Sequence, residues 1–210
     1  GNLLVSVRYT FDDECRLGIH YQALCDQDTV INLTNHSYFN LDGEDSESVE
    51  GQHLQIFADS FAENDAGCLP TGRIVSLDSE EGAPFDFREP TEIGKRLHEE
   101  NIHLKNGSGY DHNYLLKKQP DGLCARAYSR SSGILLECRT SEPGMQLYTG
   151  NFLSTSNIVG KGGKSYADRA GFCLETQHYP NAMEHPEFPS VVLPAGELYD
   201  TTTEYHISLL

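Results

Sequence analysis

The sequence predicts an all-β fold, a large antiparallel sandwich or barrel with few short helices. Ten short runs of alternating apolar and polar residues carry this reading, and Gly, Asp, Asn or Pro separates most of them. Helical periodicity is scarce: a single weak segment places apolar residues at helix spacing.

Leu3 to Phe11 (LLVSVRYTF) alternates cleanly, and Asp12-Asp13 turns it into a second strand, Leu17 to Leu24. Further strands are expected over Val30 to Leu41, Leu54 to Asp59, Asn113 to Lys117, Ala125 to Ser129 and Ile134 to Arg139. Met145 to Tyr148, Phe172 to Thr176 and Tyr205 to Leu209 complete the set. The one expected helix is Thr91 to His98, with Ile93 and Leu97 on one face and Pro90 at its entrance. The acidic stretches Asp42 to Glu50 and Asp78 to Gly82 read as solvated loops.

The chain has 210 residues, 38% of them apolar, enough to bury one substantial core in a single unit over residues 1–210. Fifteen Lys and Arg against 32 Asp and Glu give a formal net charge of -17. A surface that acidic repels phosphate backbones and anionic lipid, so neither nucleic acid nor a membrane is expected as a partner. No apolar run is long enough to span a bilayer. The six cysteines form no C-x-x-C pair and read as reduced thiols of a cytoplasmic protein. The sequons at Asn32, Asn35 and Asn106 are short chance-prone patterns and are expected to stay unmodified.

Two motif-like stretches lead nowhere. His98 to His103 (HEENIH) spaces its imidazoles by five residues, whereas zinc ligation on a helix needs four, so solvated polar residues are expected. Gly162-Gly163-Lys164-Ser165 lacks the upstream glycine of a phosphate loop, since Ile158 stands in its place, and reads as a surface loop.

The chemistry-bearing segments are four. Asn32 to Leu41 reads NLTNHSYFNL; as a strand it turns Asn32, Thr34, His36, Tyr38 and Asn40 to one side. That polar and aromatic face suits a hydroxyl-rich ligand. Gly171 to Gln177 (GFCLETQ) puts Phe172, Leu174 and Thr176 on one side and Cys173, Glu175 and Gln177 on the other, with Glu175 flanked by core-type residues. Asp111 lies in GYDHNY, and Gln146 and Tyr148 share a face in PGMQLYTGNFL. Taken singly, each is more often ordinary sheet or turn chemistry.

In this order and together, NLTNHSYFNL, GYDHNY, PGMQLYTGNFL and GFCLETQHYPNA resemble the aldose 1-epimerase family over essentially the whole chain. The resemblance implies a galactose mutarotase-like β-sandwich that interconverts the α and β anomers of aldohexoses such as galactose and glucose. It implies no metal and no organic cofactor. The general acid falls on His36 and the general base on Glu175; Asp111 and Gln146 hold sugar hydroxyls, and Tyr38 and Ser37 are further contacts. Ring opening takes a proton from the anomeric hydroxyl and gives one to the ring oxygen, so acid and base are expected on opposite sides of the pyranose.

Family members carry further sequence upstream, including an Arg in an N-R motif and a His in an H-G-G motif, and neither motif occurs here. The expectation is therefore a unit incomplete at its N-terminus, with a missing segment or a companion chain as a further partner. Asn181 and Glu184 also depart from the family's usual Asp and Asn. Alternative readings are a non-catalytic sugar-binding or regulatory module on the same sandwich, and an epimerase of a sugar phosphate. The acidic balance disfavours the latter.

Overall fold

The computed structural model describes residues 1–156 and 158–210 and is an antiparallel two-sheet sandwich. Its strands are β1 (Leu3–Phe11), β2 (Arg16–Cys25), β3 (Thr29–Val30), β4 (His53–Ile56), β5 (Ala58–Asn64), β6 (Pro70–Ser76) and β7 (Thr91–Glu92). They continue as β8 (Asp111–Leu116), β9 (Leu123–Tyr128), β10 (Ile134–Thr140), β11 (Gly144–Tyr148), β12 (Cys173–Gln177), β13 (Val192–Leu193) and β14 (Tyr199–Leu209). One sheet runs β1-β2-β14-β10-β9-β4-β7 and the other β12-β11-β8-β5-β6, while β3 and β13 pair separately.

The core lies between the two sheets. Ile19, Ala127, Leu136 and Tyr205 from the larger sheet meet Phe61, Tyr114, Met145 and Leu174 from the smaller, all essentially without solvent contact. Burial of aliphatic and aromatic side chains on this scale is the main stabilising term. The polar atoms drawn in with them find partners across the layer. Tyr205 donates its hydroxyl to the Leu174 carbonyl at 2.7 Å, and the Thr176 and Thr203 hydroxyls meet at 2.5 Å. These bonds fix β12, the strand carrying Glu175, against β14 of the opposite sheet.

Two expectations are corrected. Thr91 to His98 is not a helix: Thr91 and Glu92 pair with β4, and only Ile93–Lys95 turn, as a 3-10 helix. Ile93 and Leu97 are buried as their apolar character demanded, but sheet pairing next to Pro90 prevails over a short helical pattern. The α-helix lies later, at α1 (Ile102–Gly107), where Asn101 caps it by accepting from the His103 and Leu104 amides and Ser108 closes it at φ 54. His103 therefore departs from the solvated reading; it is fully buried beside Phe61, whereas His98 stays exposed.

The second correction concerns Val30 to Leu41. Beyond Val30 this segment has no ladder pairing except one bridge, Phe39 to Phe172. Its course beside β12 is held by side chains instead. Asn32 donates to the His178 carbonyl and accepts from the His178 amide, imitating a strand pair at the far end of β12. Asparagine offers the backbone this alternative to a ladder, which is why the run does not become a strand.

β1 has an unusual environment. Leu3, Val5, Val7, Tyr9 and Phe11 stand opposite Cys25, Ala23, Tyr21, Ile19 and Leu17 of β2. The β2 residues face the core, yet all five of their β1 neighbours are exposed, because the smaller sheet does not reach beneath them. No helix among the described residues is long and apolar enough to cross a membrane.

Candidate functional site

The smaller sheet presents three adjacent strands, β8, β11 and β12, whose outward faces form the floor of a pocket of about 310 Å³. Register builds this floor in rows. Tyr148 lies between Asp111 and Cys173, and Gln146 lies between Asn113 and Glu175. Alternation then puts Asp111, Gln146, Tyr148, Cys173, Glu175 and Gln177 on one face. Gly144 is required one pair further on, since a Cβ there would meet the Asn113 amide and the Tyr179 ring at 2.8–2.9 Å.

The open side is closed by the segment that runs past the edge of β12. With Phe39 opposite Phe172, antiparallel register brings His36 opposite Glu175, and their Nε2 and Oε1 atoms lie 3.4 Å apart. His36 Nδ1 is 3.4 Å from Cys173 Sγ. The rings of His36, Tyr38 and Tyr148 gather at centroid separations of 5.0 to 6.1 Å. Acid and base candidates are thus neighbours, not residues on opposite walls.

Electrostatics divide the two carboxylates from their surroundings. Glu175 is 8% exposed. Loss of hydration, reinforced by the charge of Asp111, raises its pKa to about 7. Asp111 is also raised by burial, while the hydrogen bond from Gln146 Nε2 at 2.6 Å and the nearby His36 oppose that rise. Burial pushes the Tyr38 hydroxyl up to about 12, so it is a neutral donor near neutrality. Among the described residues, no Lys or Arg lines the pocket.

Of the residues expected from sequence, His36, Tyr38, Asp111, Gln146 and Glu175 line one pocket. Ser37 does not; its amide is held by the Asn35 side chain, and alternation turns it from the face that His36 and Tyr38 share. Tyr148, Phe152, Gln177 and Pro180 also line the pocket and were not singled out as site residues. Tyr148 and Gln177 were within reach of the period-2 argument, being two residues from Gln146 and Glu175. Phe152 and Pro180 come from connections that no periodicity describes. Two of the candidate residues, His36 and Glu175, together with the neighbouring Cys173, also offer nitrogen, oxygen and sulfur donors within 4.8 Å of one another.

A family profile described as aldose 1-epimerase matches residues 1–206. The galactose mutarotase of Bos taurus is 44% identical over 210 residues, all of this chain and 58% of that protein. The aldose 1-epimerase of Escherichia coli (strain K12) is 38% identical over 209 residues, 98% of this chain and 58% of that protein. A crystal structure of an aldose epimerase homologue from C. elegans superimposes with a TM-score of 0.86 at 31% identity, covering 99% of this chain and 60% of that one. The chain thus spans somewhat over half the length of the curated relatives it matches.

Proposed function

The chain belongs to the aldose 1-epimerase family, and we propose that it bears the acid–base centre of a mutarotase acting on aldohexoses such as galactose and glucose. The observation that carries this reading is the 3.4 Å approach of His36 to a buried Glu175 whose pKa is about 7. A base near the working pH is half available and half ready to return its proton, which a reversible reaction needs in both directions.

Mutarotation makes modest demands on distance. The anomeric oxygen and the ring oxygen are both bonded to C1, so two neighbouring side chains can serve them from one side. Glu175 takes the proton of the anomeric hydroxyl as the C1 to ring-oxygen bond breaks. His36 gives a proton to the ring oxygen as it leaves. The open-chain aldehyde then turns about its C1–C2 bond, and the transfers reverse onto either face. Each group contributes about 10²- to 10⁴-fold to such a step.

The remaining residues hold the ring. Asp111, steadied by Gln146, accepts from sugar hydroxyls; Gln146 and Gln177 offer amide donors and acceptors, and Tyr38 and Tyr148 offer neutral hydroxyls. Ser37 would act only through the backbone of its segment. A pocket with two carboxylates and no Lys or Arg favours a neutral sugar over a sugar phosphate. No cofactor enters this reading.

Residence in the cytoplasm is supported by six free cysteines and by sequon amides already engaged, Asn32 with His178 and Asn106 with Asn64. The uncovered row on β1 supports a further segment or companion chain as partner. The test is polarimetry of fresh α-D-galactose with the chain and with His36→Ala and Glu175→Ala. Acceleration abolished by both substitutions is expected. A folded chain that binds galactose without accelerating its mutarotation would sink the proposal in favour of a binding module.

A further inference from the structure

Beneath His36 lies one group the acid–base reading leaves idle. Cys173 is fully buried, and its thiol points at His36 rather than into the core. Its Sγ is 3.4 Å from Nδ1 of His36, whose Nε2 is 3.4 Å from Glu175 Oε1, and one donor atom from each residue falls within 4.8 Å of the other two. Zinc bonds of about 2.0–2.3 Å in a tetrahedron separate ligand atoms by about 3.3–3.8 Å. The two 3.4 Å contacts use different imidazole nitrogens, and one atom from each residue spans up to 4.8 Å, so the ring must turn by a fraction of its width to present one nitrogen to both partners.

Mobility and charge favour the same outcome. Glu175 and Cys173 are fixed on β12, two residues apart on one face, whereas the His36 side chain is 51% exposed on a segment without ladder pairing. A small tilt of the ring therefore brings one imidazole nitrogen toward both partners. Asp111 adds a second negative charge beside them, and no Lys or Arg lines the pocket to compete for the carboxylates.

We infer that His36, Cys173 and Glu175 form a site for a borderline-soft divalent cation of the zinc class, bound in competition with the sugar. His36 coordinates as the neutral imidazole, Glu175 through one carboxylate oxygen, and Cys173 as thiolate, its proton passing to solvent as the sulfur–metal bond forms. Water fills the fourth position. The ion is no cofactor here: it occupies the lone pairs that the acid and base need, so a metal-loaded chain is a blocked one. Competition rests on the sugar reading above; coordination does not.

The experiment is calorimetric titration of the folded chain with Zn²⁺, and with Cd²⁺ followed by its thiolate charge-transfer absorption. Both use a Cys15→Ser, Cys68→Ser background that removes the thiols outside the core and the pocket. One ion per chain and a thiolate band are expected, with the band lost in Cys173→Ala and affinity reduced at least tenfold in Cys173→Ala and in Glu175→Gln. Absence of saturable binding, a missing thiolate band, or unchanged affinity in both variants overturns the site. Saturating galactose should weaken apparent metal affinity. If metal binds and galactose has no effect, coordination stands and the sugar reading loses its support.

Discussion

Gln146 donates to Asp111 at 2.6 Å across the boundary between β11 and β8, a side-chain bond on the pocket face that adds to the backbone ladder between the two strands. It opposes the burial that raises the Asp111 pKa, beside a second carboxylate, Glu175. The charge of Asp111 is in turn the second cause, after desolvation, of the elevated pKa of Glu175.

That coupling makes the acid limb of the reaction adjustable. Because Glu175 must be ionised to accept a proton, kcat/KM should fall about tenfold per pH unit below about 7. Asp111→Asn should move this limb to lower pH by removing the repulsive charge, while desolvation keeps Glu175 above the ordinary carboxylate range. A pH series of mutarotation rates checks both statements; an acid limb that does not move would deny the coupling.

Glu175→Gln should trade activity for stability. Turnover should drop by about 10²- to 10⁴-fold. The native carboxyl titrates near 7 and an unfolded one near 4.5, so burying the ionised form costs stability above pH 7 and nothing below 4.5. The amide should therefore stabilise the chain by up to about 3 kcal/mol at pH 8, a gain that vanishes toward pH 4. Urea unfolding at the two pH values measures it.

His112 supplies the opposite dependence. It is fully buried against Phe61 and Phe85, and desolvation lowers its pKa to about 3. The unfolded chain protonates it near 6.5, so stability is lost as pH falls from 6.5 toward 3. His112→Phe should reduce the difference in unfolding free energy between pH 7 and pH 4 by up to roughly 3 kcal/mol. It also removes the acceptor for the Asp111 amide, so a lower stability at pH 7 is expected alongside.

Polar substitution on β1 should cost little. Val7→Thr and Phe11→Ser alter side chains that are 43% and 68% exposed, so unfolding free energy should change by less than about 0.5 kcal/mol each. Self-association of the isolated chain, read by light scattering, should fall, since these residues sit in an uncovered apolar row. A large loss of stability would mean that the row is packed in solution.

Period-2 alternation located the strands carrying Gln146 and Glu175 and the strand that Asp111 opens, and it foretold the reduced solvation of Glu175 from its neighbours Phe172 and Leu174. The three short paired elements β6, β7 and β13 escaped it because they carry little contrast between faces: Pro70 to Ser76 mixes exposed and buried residues without a period. The helix escaped because its signal is a cap, Asn101, rather than an apolar stripe. His36 was found through the company of its motif, but its delivery by an unpaired segment was not legible. Alternation survives in NLTNHSYF although the ladder does not, since His36 and Tyr38 remain exposed while Leu33 and Phe39 pack inward.

The segment from Asn32 to Phe39 is tied at both ends of β12 without ladder pairing between the ties, and β12 is the outermost strand of its sheet. The span that brings His36, the proposed proton donor, is thus also the shutter over an otherwise open row of backbone donors and acceptors. Chemistry and protection against intermolecular pairing share one stretch of chain. Loosening either tie, as with Asn32→Ala, should weaken proton delivery and solubility together, so selection on the reaction also preserves the guard on that edge.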